Sequence, residues 1–405
     1  MTTARPFRRS PVHHLLVDAG ANFGSRMGWE RANFFAPEGE QPVIDYTWGK
    51  PNWLPWSAAE QTTTRSQVTV FDQTSFSKYL MVGPDAEAAL QWLCTADIGG
   101  DPGRAVYTGM LNERGTYESD VTVTRTGAQE FLIVSSAATT ERDKDHIHSQ
   151  IRRRWPDGAN ATLVDVTSAY AVFGVMGPRS RDLLASLTDA DLSDEAFGFG
   201  TSREIPLGYA TVRATRITYV GELGWELYVP AEFAVGVYED LMSAGAQFGI
   251  GRGGYYAIES LRLEKGYRAF GRELTPSENP AEAGLLFACK LKTDIDFLGR
   301  TALEKARADG PRKKLVSFKV ESPEAMLWGG ELILRDGAVA GQVTSAAWGE
   351  STGSCVGLAY LRAGGDVIDA AWVNAGDYQV NVGGTRYPIA VSLKPLYDPT
   401  NARIR

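Results

Sequence analysis

The chain has 405 residues, of which 43% are hydrophobic and 22% are charged, and its formal net charge is -8. At roughly 150 residues per domain this length allows two to four domains, and the composition excludes wholesale disorder, collagen-like repeats and long coiled coils. The negative charge argues against a nucleic-acid partner, because phosphate contacts need a basic surface.

The cysteines and the apolar segments bear on the compartment. Cys94, Cys289 and Cys355 are far apart and show no CxxC spacing, which favours a reducing compartment over a disulfide framework or a zinc cluster. No stretch approaches the roughly 18 apolar residues that span a bilayer. The basic start MTTARPFRRS is not followed by a signal-peptide core. We therefore expect a cytoplasmic protein that does not bind membranes, with a short organelle-targeting segment as the alternative.

The N-terminal third of the chain begins irregularly and then becomes regular. Residues 1–60 are rich in aromatic residues broken by glycine and proline, which predicts packed loops. From Glu60 a polar run to about Ser66 predicts a helix. Strands are predicted next in VTVFDQTSFSKYLMVGPDA, and a helix in DAEAALQWLCTADI. A hairpin is predicted in AVYTGMLNERGTYESDVTVTRTGAQEFLIVSS, with one turn at NERG and a second at Thr126-Gly127. A charged, solvent-facing helix is predicted in TERDKDHIHSQIRRR.

The order of strand, helix and strand recurs from about Ala161, which predicts two α+β units of similar plan. A helix with a glycine-rich entry is predicted in GRGGYYAIESLRLEKGYR. After the basic break ARADGPRKKL, residues 315–405 contain short alternating strands with turns about every ten residues. This pattern is the signature of a small antiparallel barrel or sandwich.

Common nucleotide and hydrolase motifs are missing from the sequence. There is no GxGxxG between a strand and a helix, no GxxxxGK[ST], no GxSxG and no HExxH. The chain has four histidines, and His146 and His148 are spaced so that they do not share a helix face. We predict no metal site.

Asp120 is the first carboxylate of interest. It ends the run GMLNERGTYESD, where the chain re-enters a strand. At such a place backbone N–H groups can hold a carboxylate that still faces a cavity. The alternative is a turn aspartate that caps its own loop.

Glu226 is the second carboxylate, within ITYVGELGWELYV. In an alternating strand Glu226 shares a face with Tyr228, opposite to Trp225. A glutamate in such an apolar strand needs hydrogen-bond donors, because burying an unpaired carboxylate is costly. A flat ligand with adjacent N–H groups, such as a guanidine-like heterocycle, is one partner. An ion pair with an arginine such as Arg262 is the other.

Arg262 belongs to the predicted helix AIESLRLEKGYR. Its guanidinium can fork onto a carboxylate of the protein or of a ligand. The alternative is a structural role in a helix of mixed charge.

Six sequence blocks, in order over nearly the whole chain, resemble the aminomethyltransferase (glycine-cleavage T-protein) superfamily, most closely the folate-binding C-terminal half of dimethylglycine and sarcosine dehydrogenases and dimethylglycine oxidase. The blocks are AGANFGSRMGWERANFF, VTVFDQTSFSKYLMVGPDA, VYTGMLNERGTYESDVTVTR, ITYVGELGWELYVP, AIESLRLEKGYRAFGRELTPSENPAEAGL and GQVTSAAWGESTGSCVGLAYL. The resemblance implies an α+β fold, a three-lobed ring of two α+β lobes and a C-terminal antiparallel β-barrel, with tetrahydrofolate in the central cavity. Residues 1–310 would form the folate-binding region and residues 311–405 the barrel.

The resemblance also implies roles for four residues. Asp120 matches the aspartate beside N5 and N10 of the folate, which assists proton transfer and orients the cofactor; Ser119 stands where T-proteins carry a second aspartate. Glu226 matches the glutamate that grips the pterin ring through N3–H and the 2-amino group. Tyr219 matches a tyrosine of the same cavity, and Arg262 matches an arginine that organises the site. We therefore expect Asp120 and Tyr219 to be catalytic and all four to bind the cofactor.

The resemblance implies a tetrahydrofolate-dependent one-carbon transferase, or demethylase, acting on a small methylated molecule. An iminium or formaldehyde equivalent would give 5,10-methylenetetrahydrofolate, and direct demethylation would give 5-methyltetrahydrofolate. The dehydrogenase relatives carry an FAD-binding half in front, and residues 1–60 offer no dinucleotide motif. We therefore expect the chain not to oxidise an N-methyl group by itself.

Three alternatives stay open. The first is a folate subunit that partners a separate FAD-dependent N-methyl amine oxidase. The second is an aminomethyltransferase that serves a lipoyl-carrying protein. The third is a non-enzymatic folate-binding factor like the iron–sulfur assembly relatives. Those carry a KGCYxGQE pattern, where this chain reads EKGYRAFGREL without a cysteine.

Overall fold

The computed structural model describes residues 5–404. The helices of more than three residues are α1 His13–Asp18, α2 Leu54–Ser66, α3 Ala86–Leu93, α4 Thr140–Arg154, α5 Ser180–Ala185, α6 Ala234–Gly245, α7 Tyr255–Glu264, α8 Pro280–Ala283, α9 Arg300–Asp309 and α10 Ala370–Asn374. The strands are β1 Ala21–Arg26, β2 Trp29–Phe35, β3 Val68–Asp72, β4 Ser77–Val82, β5 Ala105–Leu111, β6 Tyr117–Gly127, β7 Glu130–Ser135, β8 Thr162–Asp165, β9 Tyr170–Met176, β10 Ser202–Leu207, β11 Ala210–Thr215, β12 Gly224–Pro230, β13 Ile250–Gly253, β14 Lys313–Val320, β15 Leu332–Arg335, β16 Ala338–Gly349, β17 Ser354–Arg362, β18 Tyr378–Val382 and β19 Thr385–Ser392.

The chain divides into two compact units. The first comprises residues 5–76, 166–265 and 400–404, and the second comprises residues 77–165 and 266–399. Each unit has a mixed α+β content with its own sheet and its own core.

The first unit is built on a six-stranded sheet in the order β10-β11-β12-β9-β3-β13. The pairs are antiparallel except β3 with β13, which is parallel. One face of the sheet carries the large core: Trp225 and Leu227 of β12, Phe173 and Val175 of β9 and the apolar side of α6 pack there, with Leu241 as an example. The prediction that Trp225 lies on a packed face opposite to Glu226 is confirmed.

The second unit contains a five-stranded antiparallel sheet and a closed barrel. The sheet order is β5-β6-β7-β4-β8, and the barrel order is β14-β17-β16-β15-β18-β19. All barrel pairs are antiparallel. The prediction of an α+β fold with a small C-terminal antiparallel barrel is confirmed, and the sandwich alternative is excluded because β14 pairs with β19 and closes the sheet.

The prediction of loops over residues 1–60 is wrong for much of residues 5–60, and its first four residues lie outside the described part of the chain. The described segment contains α1, the start of α2 and an antiparallel hairpin of β1 and β2. The two-residue turn of the hairpin is Met27-Gly28, and both residues have positive φ, 49° and 84°. Two-residue turns with positive φ at both positions usually have the sequence Asn-Gly or Asp-Gly. A methionine in the first position hides the hairpin from a reading of the sequence.

The sequence predicts that helix α4 faces solvent, but one side of it is buried. Its residues Asp143, His146, Ile147 and Gln150 are buried. They are spaced i, i+3, i+4 and i+7, which places them on one face of the helix. Because three of the four are polar or charged, an apolar stripe is not visible in the sequence.

Helices α3 and α7 lie within the segments that are predicted to form them, and β13 occupies the glycine-rich stretch before α7. Helix α2 ends at Ser66, as predicted, whereas β6 continues through the expected turn at Thr126-Gly127. The three cysteines are free thiols, with Cys94 and Cys355 buried. Among residues 5–404, no helix is both long enough and apolar enough to cross a bilayer.

Candidate functional site

Glu226 lies near the middle of the sheet of the first unit. On β12 it stands directly opposite Gly174 of β9 on one side and Thr215 of β11 on the other. Residues that are directly opposed across strands share a face. The row of Glu226, Gly174 and Thr215 therefore lies on the face that does not carry the large core, the same face as Tyr228.

The carboxylate of Glu226 has few protein donors. Its side chain is buried, with the residue 7% exposed, and Oε2 accepts a hydrogen bond of 2.7 Å from the hydroxyl of Tyr228. Burial raises the pKa of Glu226, and the Tyr228 hydroxyl only partly opposes that rise. Within residues 5–404 Glu226 forms no ion pair, so the pairing with Arg262 that the sequence left open is not formed.

Arg262 and Tyr219 belong to the same unit as Glu226. Arg262 is fully buried on α7 and forms an ion pair with Glu259, one turn earlier. Tyr219 precedes β12 and packs against an apolar cluster that includes Phe71 and Leu261. Phe71 is directly opposite Gly174, so Tyr219 packs beside the face that carries Glu226.

Gln73 is a residue of this face that the sequence does not single out. It follows β3, is 2% exposed, and its Oε1 is buried. A Cβ atom added at Gly174 would lie 2.7 Å from this oxygen. The amide of Gln73 therefore lies over Gly174, the residue directly opposite Glu226. Only the sheet register brings these residues together, because Gln73 and Gly174 are about a hundred residues apart in the chain.

Asp120 lies in the second unit, at the fourth position of β6 rather than in the turn before it. It is directly opposite Gly109 of β5, and its Oδ2 accepts a hydrogen bond of 3.0 Å from the hydroxyl of Tyr107. The side chain is half-buried. Burial raises the pKa of Asp120 to about 6, against the lowering effect of the Tyr107 hydroxyl. A carboxyl group with this pKa can exchange a proton near neutral pH.

Two further carboxylates contribute to the raised pKa of Asp120. Asp143 of α4 and Glu273 both repel the ionised form of Asp120. Asp143 accepts a hydrogen bond of 2.7 Å from Thr139 Oγ1, and Glu273 accepts one of 2.8 Å from Thr344 Oγ1. Both are almost completely buried. The two carboxylates therefore add to the effect of burial and favour the protonated form of Asp120.

The four predicted site residues thus fall into two groups. Glu226, Tyr219 and Arg262 belong to the first unit, on or beside the face of the sheet that lacks the large core. Asp120 belongs to the second unit with Tyr107. The first group offers a carboxylate that needs donors, and the second offers a carboxyl group that titrates near neutral pH.

Comparison with known proteins gives two family matches that together account for most of the chain. Residues 12–293 match the GCVT N-terminal domain, and residues 313–398 match the glycine cleavage T-protein C-terminal barrel domain. A solved structure, the glycine cleavage system aminomethyltransferase T from Bartonella henselae, superposes with a TM-score of 0.79. The two chains are 23% identical, and the match covers 96% of this chain and 98% of the other.

Curated relatives divide into two lengths. The chain is 38% identical to 4-methylaminobutanoate oxidase (formaldehyde-forming) of Paenarthrobacter nicotinovorans over 100% of this chain and 48% of the relative. It is 36% identical to the mitochondrial sarcosine dehydrogenase of Mus musculus, over 99% of this chain and 47% of the relative. An aminomethyltransferase of Saccharopolyspora erythraea is 30% identical over 96% of this chain and 98% of the relative. The chain spans about half the length of the first two.

Proposed function

Because this chain belongs to the aminomethyltransferase (glycine cleavage T-protein) family, we propose that it is a tetrahydrofolate-dependent one-carbon transferase. It would move a methyl or methylene unit from a methylated small molecule to N5 of tetrahydrofolate. The observation that carries the proposal is Glu226, a buried carboxylate that accepts a hydrogen bond from Tyr228 alone among residues 5–404.

The chemistry of Glu226 fits the pterin ring. A carboxylate accepts two parallel hydrogen bonds from neighbouring N–H groups, and the pterin edge presents N3–H beside the 2-amino group. A buried carboxylate without enough donors destabilises the protein. A ligand that supplies two N–H donors removes this penalty, and its binding free energy becomes more favourable by that amount. Tyr219 would contribute to the same binding surface, and the guanidinium of Arg262, buried on α7 and oriented by Glu259, would help to organise the cofactor site.

Asp120 would manage the proton. Tetrahydrofolate supplies N5 as the nucleophile for the one-carbon unit, and the protein then has to orient the reactants and remove a proton. The pKa of Asp120 is about 6, so the group is mostly ionised at pH 7 and can accept a proton at Oδ1 or Oδ2. The Tyr107 hydroxyl holds Oδ2 in place. No strong protein nucleophile is needed.

The test is product analysis with tetrahydrofolate and a panel of methylated amines, sulfonium compounds and methoxyarenes. Mass spectrometry of the folate pool distinguishes 5-methyl- from 5,10-methylenetetrahydrofolate. We expect one substrate class to give product, and we expect Asp120→Asn to abolish most of it. Folate binding without product from any donor would favour the non-enzymatic factor. Product only in the presence of an aminomethyl-lipoyl carrier would favour the glycine-cleavage reaction.

A second candidate is a folate subunit that works with a separate flavin-dependent N-methyl amine oxidase. The names of two relatives favour it, since they are an oxidase that forms formaldehyde and a sarcosine dehydrogenase, each about twice as long as the matched region. In this case an N-methyl amine would give methylenetetrahydrofolate only when a flavoprotein oxidase is added. We would then expect the yield of free formaldehyde from the oxidase to fall as this chain is titrated in.

A further inference from the structure

The side-chain amide of Gln73 is a buried polar group whose hydrogen-bonding capacity is unused. Its Oε1 is shielded from solvent, and no donor within residues 5–404 reaches it. The backbone around it is fixed, because Gln73 N donates to Val172 O at 2.8 Å and Gln73 O accepts from Phe76 N at 3.1 Å. A buried acceptor left unpaired destabilises a fold. Such a group is free to bind a partner that is not part of the chain.

The position of this oxygen relative to Glu226 follows from the sheet register. Gly174 is directly opposite Glu226, and the Cβ atoms of directly opposed residues are about 4.5–5.5 Å apart. Gln73 Oε1 lies 2.7 Å from the point where a Cβ of Gly174 would be. The amide oxygen of Gln73 therefore lies on the same face of the sheet as Glu226, above the residue directly opposite it.

Gly174 is the residue that makes this arrangement possible. Any Cβ there would collide with Oε1 at 2.7 Å and with Cδ of Gln73 at 3.1 Å. An alanine at this position would displace the amide. A glycine in the interior of a strand weakens the strand, and it often marks close approach of another group.

We propose that Gln73 is a pterin-binding residue whose Oε1 accepts a third N–H donor from the edge of the ring that Glu226 holds. This inference rests on the proposed function and deepens it. A 2-amino-4-oxo ring with a second amine in the adjoining ring has more N–H donors than one carboxylate can accept. Gln73 would make the site select for rings that carry the additional donor, and it would be a binding residue rather than a catalytic one.

The experiment is anaerobic titration calorimetry of the purified chain with tetrahydrofolate and with tetrahydropterin, which lacks the aminobenzoyl tail. The variants are Gln73→Met, of similar length without the polar atoms, and Gln73→Asn, which withdraws the amide by one methylene. Gln247→Met, at an exposed position, is the matched control. We expect both Gln73 variants to bind both ligands about 5- to 50-fold more weakly than wild type, with Gln247→Met unchanged.

Gly174→Ala gives an independent reading. Alone it should weaken binding about as much as Gln73→Met, because it displaces the amide. In the Gln73→Ala background the same substitution should cause little further loss, because the group that it displaces is gone. Melting temperatures separate loss of binding from loss of folding in each variant.

The outcomes separate this inference from the function on which it rests. A wild-type chain that binds neither ligand overturns the proposed function. A wild type that binds, together with Gln73→Met and Gln73→Asn variants of equal affinity, overturns the role of Gln73 alone. A loss that is seen with tetrahydrofolate but is missing with tetrahydropterin places the contact on the tail and also overturns the inference.

Discussion

The hydroxyl of Tyr228 donates a 2.7 Å hydrogen bond to Oε2 of Glu226, its neighbour two positions earlier on β12. The period of a strand places both side chains on one face, so the interaction is local and built into the sequence. Tyr228 is itself 2% exposed. The pair therefore forms a fixed unit in which Oε2 already has one donor, while Oε1 and the second lone pair of Oε2 are left to accept hydrogen bonds from something else.

Tyr228→Phe removes this donor and keeps the ring. The hydrogen bond favours the ionised form of Glu226, so its loss raises the pKa of Glu226 further. We expect folate affinity to fall about 5- to 30-fold at pH 7. Affinity should fall at low pH in both proteins, because Glu226 has to be ionised to accept the pterin N–H groups. In the variant this fall should begin at a higher pH than in wild type. Calorimetry between pH 5.5 and 8.5 measures both effects, and an unchanged pH dependence would contradict the assignment.

Glu226→Gln should improve the stability of the empty protein while it weakens binding. Burial raises the pKa of Glu226 above its unfolded value, so its ionisation opposes folding as pH rises above that value. An amide carries no such penalty and still accepts from Tyr228. We expect the melting temperature at pH 7.5 to rise by about 2–4 °C, and affinity for tetrahydrofolate to fall by about 1–3 kcal/mol. The exposed Glu232→Gln is the control, and a drop in melting temperature would refute the argument.

The local pattern of the sequence predicts part of this site well. Alternation along a strand suffices to place Glu226 with Tyr228 and opposite to Trp225, because a strand has a fixed period of two. The same rule predicts the barrel strands. The roles of Glu226 and Asp120 stay predictions that rest on the family resemblance, because spacing alone leaves them open.

Other parts of the site depend on contacts that no local pattern encodes. Gln73 approaches Glu226 only because β3 pairs with β9 and β9 pairs with β12. The hairpin of β1 and β2 is hidden by a methionine in the left-handed region of its turn. The burial of Asp143 is hidden by the charged composition of α4. In each case tertiary contacts decide the outcome, and a single sequence carries no direct record of them.

Asp120→Asn tests the proton-transfer role. Removal of a general base typically slows turnover by about 100-fold or more. Because the pKa of Asp120 is about 6, wild-type turnover should rise with pH through about 6 and then level off, and the variant should lose this limb. Folate affinity should stay within about five-fold of wild type. Asp101→Asn, at an exposed position of the same unit, should leave the profile unchanged; so would Asp120→Asn if Asp120 has no role.

Tyr107→Phe should shift the same limb rather than remove it. The Tyr107 hydroxyl lowers the pKa of Asp120 by a hydrogen bond of 3.0 Å to the carboxylate. Without that bond the pKa of Asp120 rises, so the limb of the turnover profile should move to higher pH. The variant should be slower than wild type near pH 6 and approach it above pH 8. Tyr209→Phe, fully exposed, is the control. A limb that does not move would dissociate Tyr107 from the proton-transfer step.

Glu60 provides a test that concerns folding alone. Its Oε1 accepts from Phe35 N at 2.7 Å and its Oε2 from Gly254 N at 2.9 Å, so one carboxyl group joins β2 to the start of α7. Burial raises the pKa of Glu60 to about 8 against these two hydrogen bonds. At pH values between the ordinary glutamate pKa and about 8, the folded state therefore keeps a proton on Glu60 that the unfolded chain has released. The free energy of unfolding falls as pH rises through that window.

Glu60→Gln removes this titration. We expect the unfolding free energy of wild type, taken relative to that of the variant, to fall by a few kcal/mol from pH 5 to pH 8. Above pH 9 the difference between the two proteins should be constant. Urea unfolding at a series of pH values measures it, with the exposed Glu38→Gln as the control. A constant difference would mean that the proton affinity of Glu60 is equal in the folded and unfolded chains. The two backbone hydrogen bonds would then offset the whole effect of its burial.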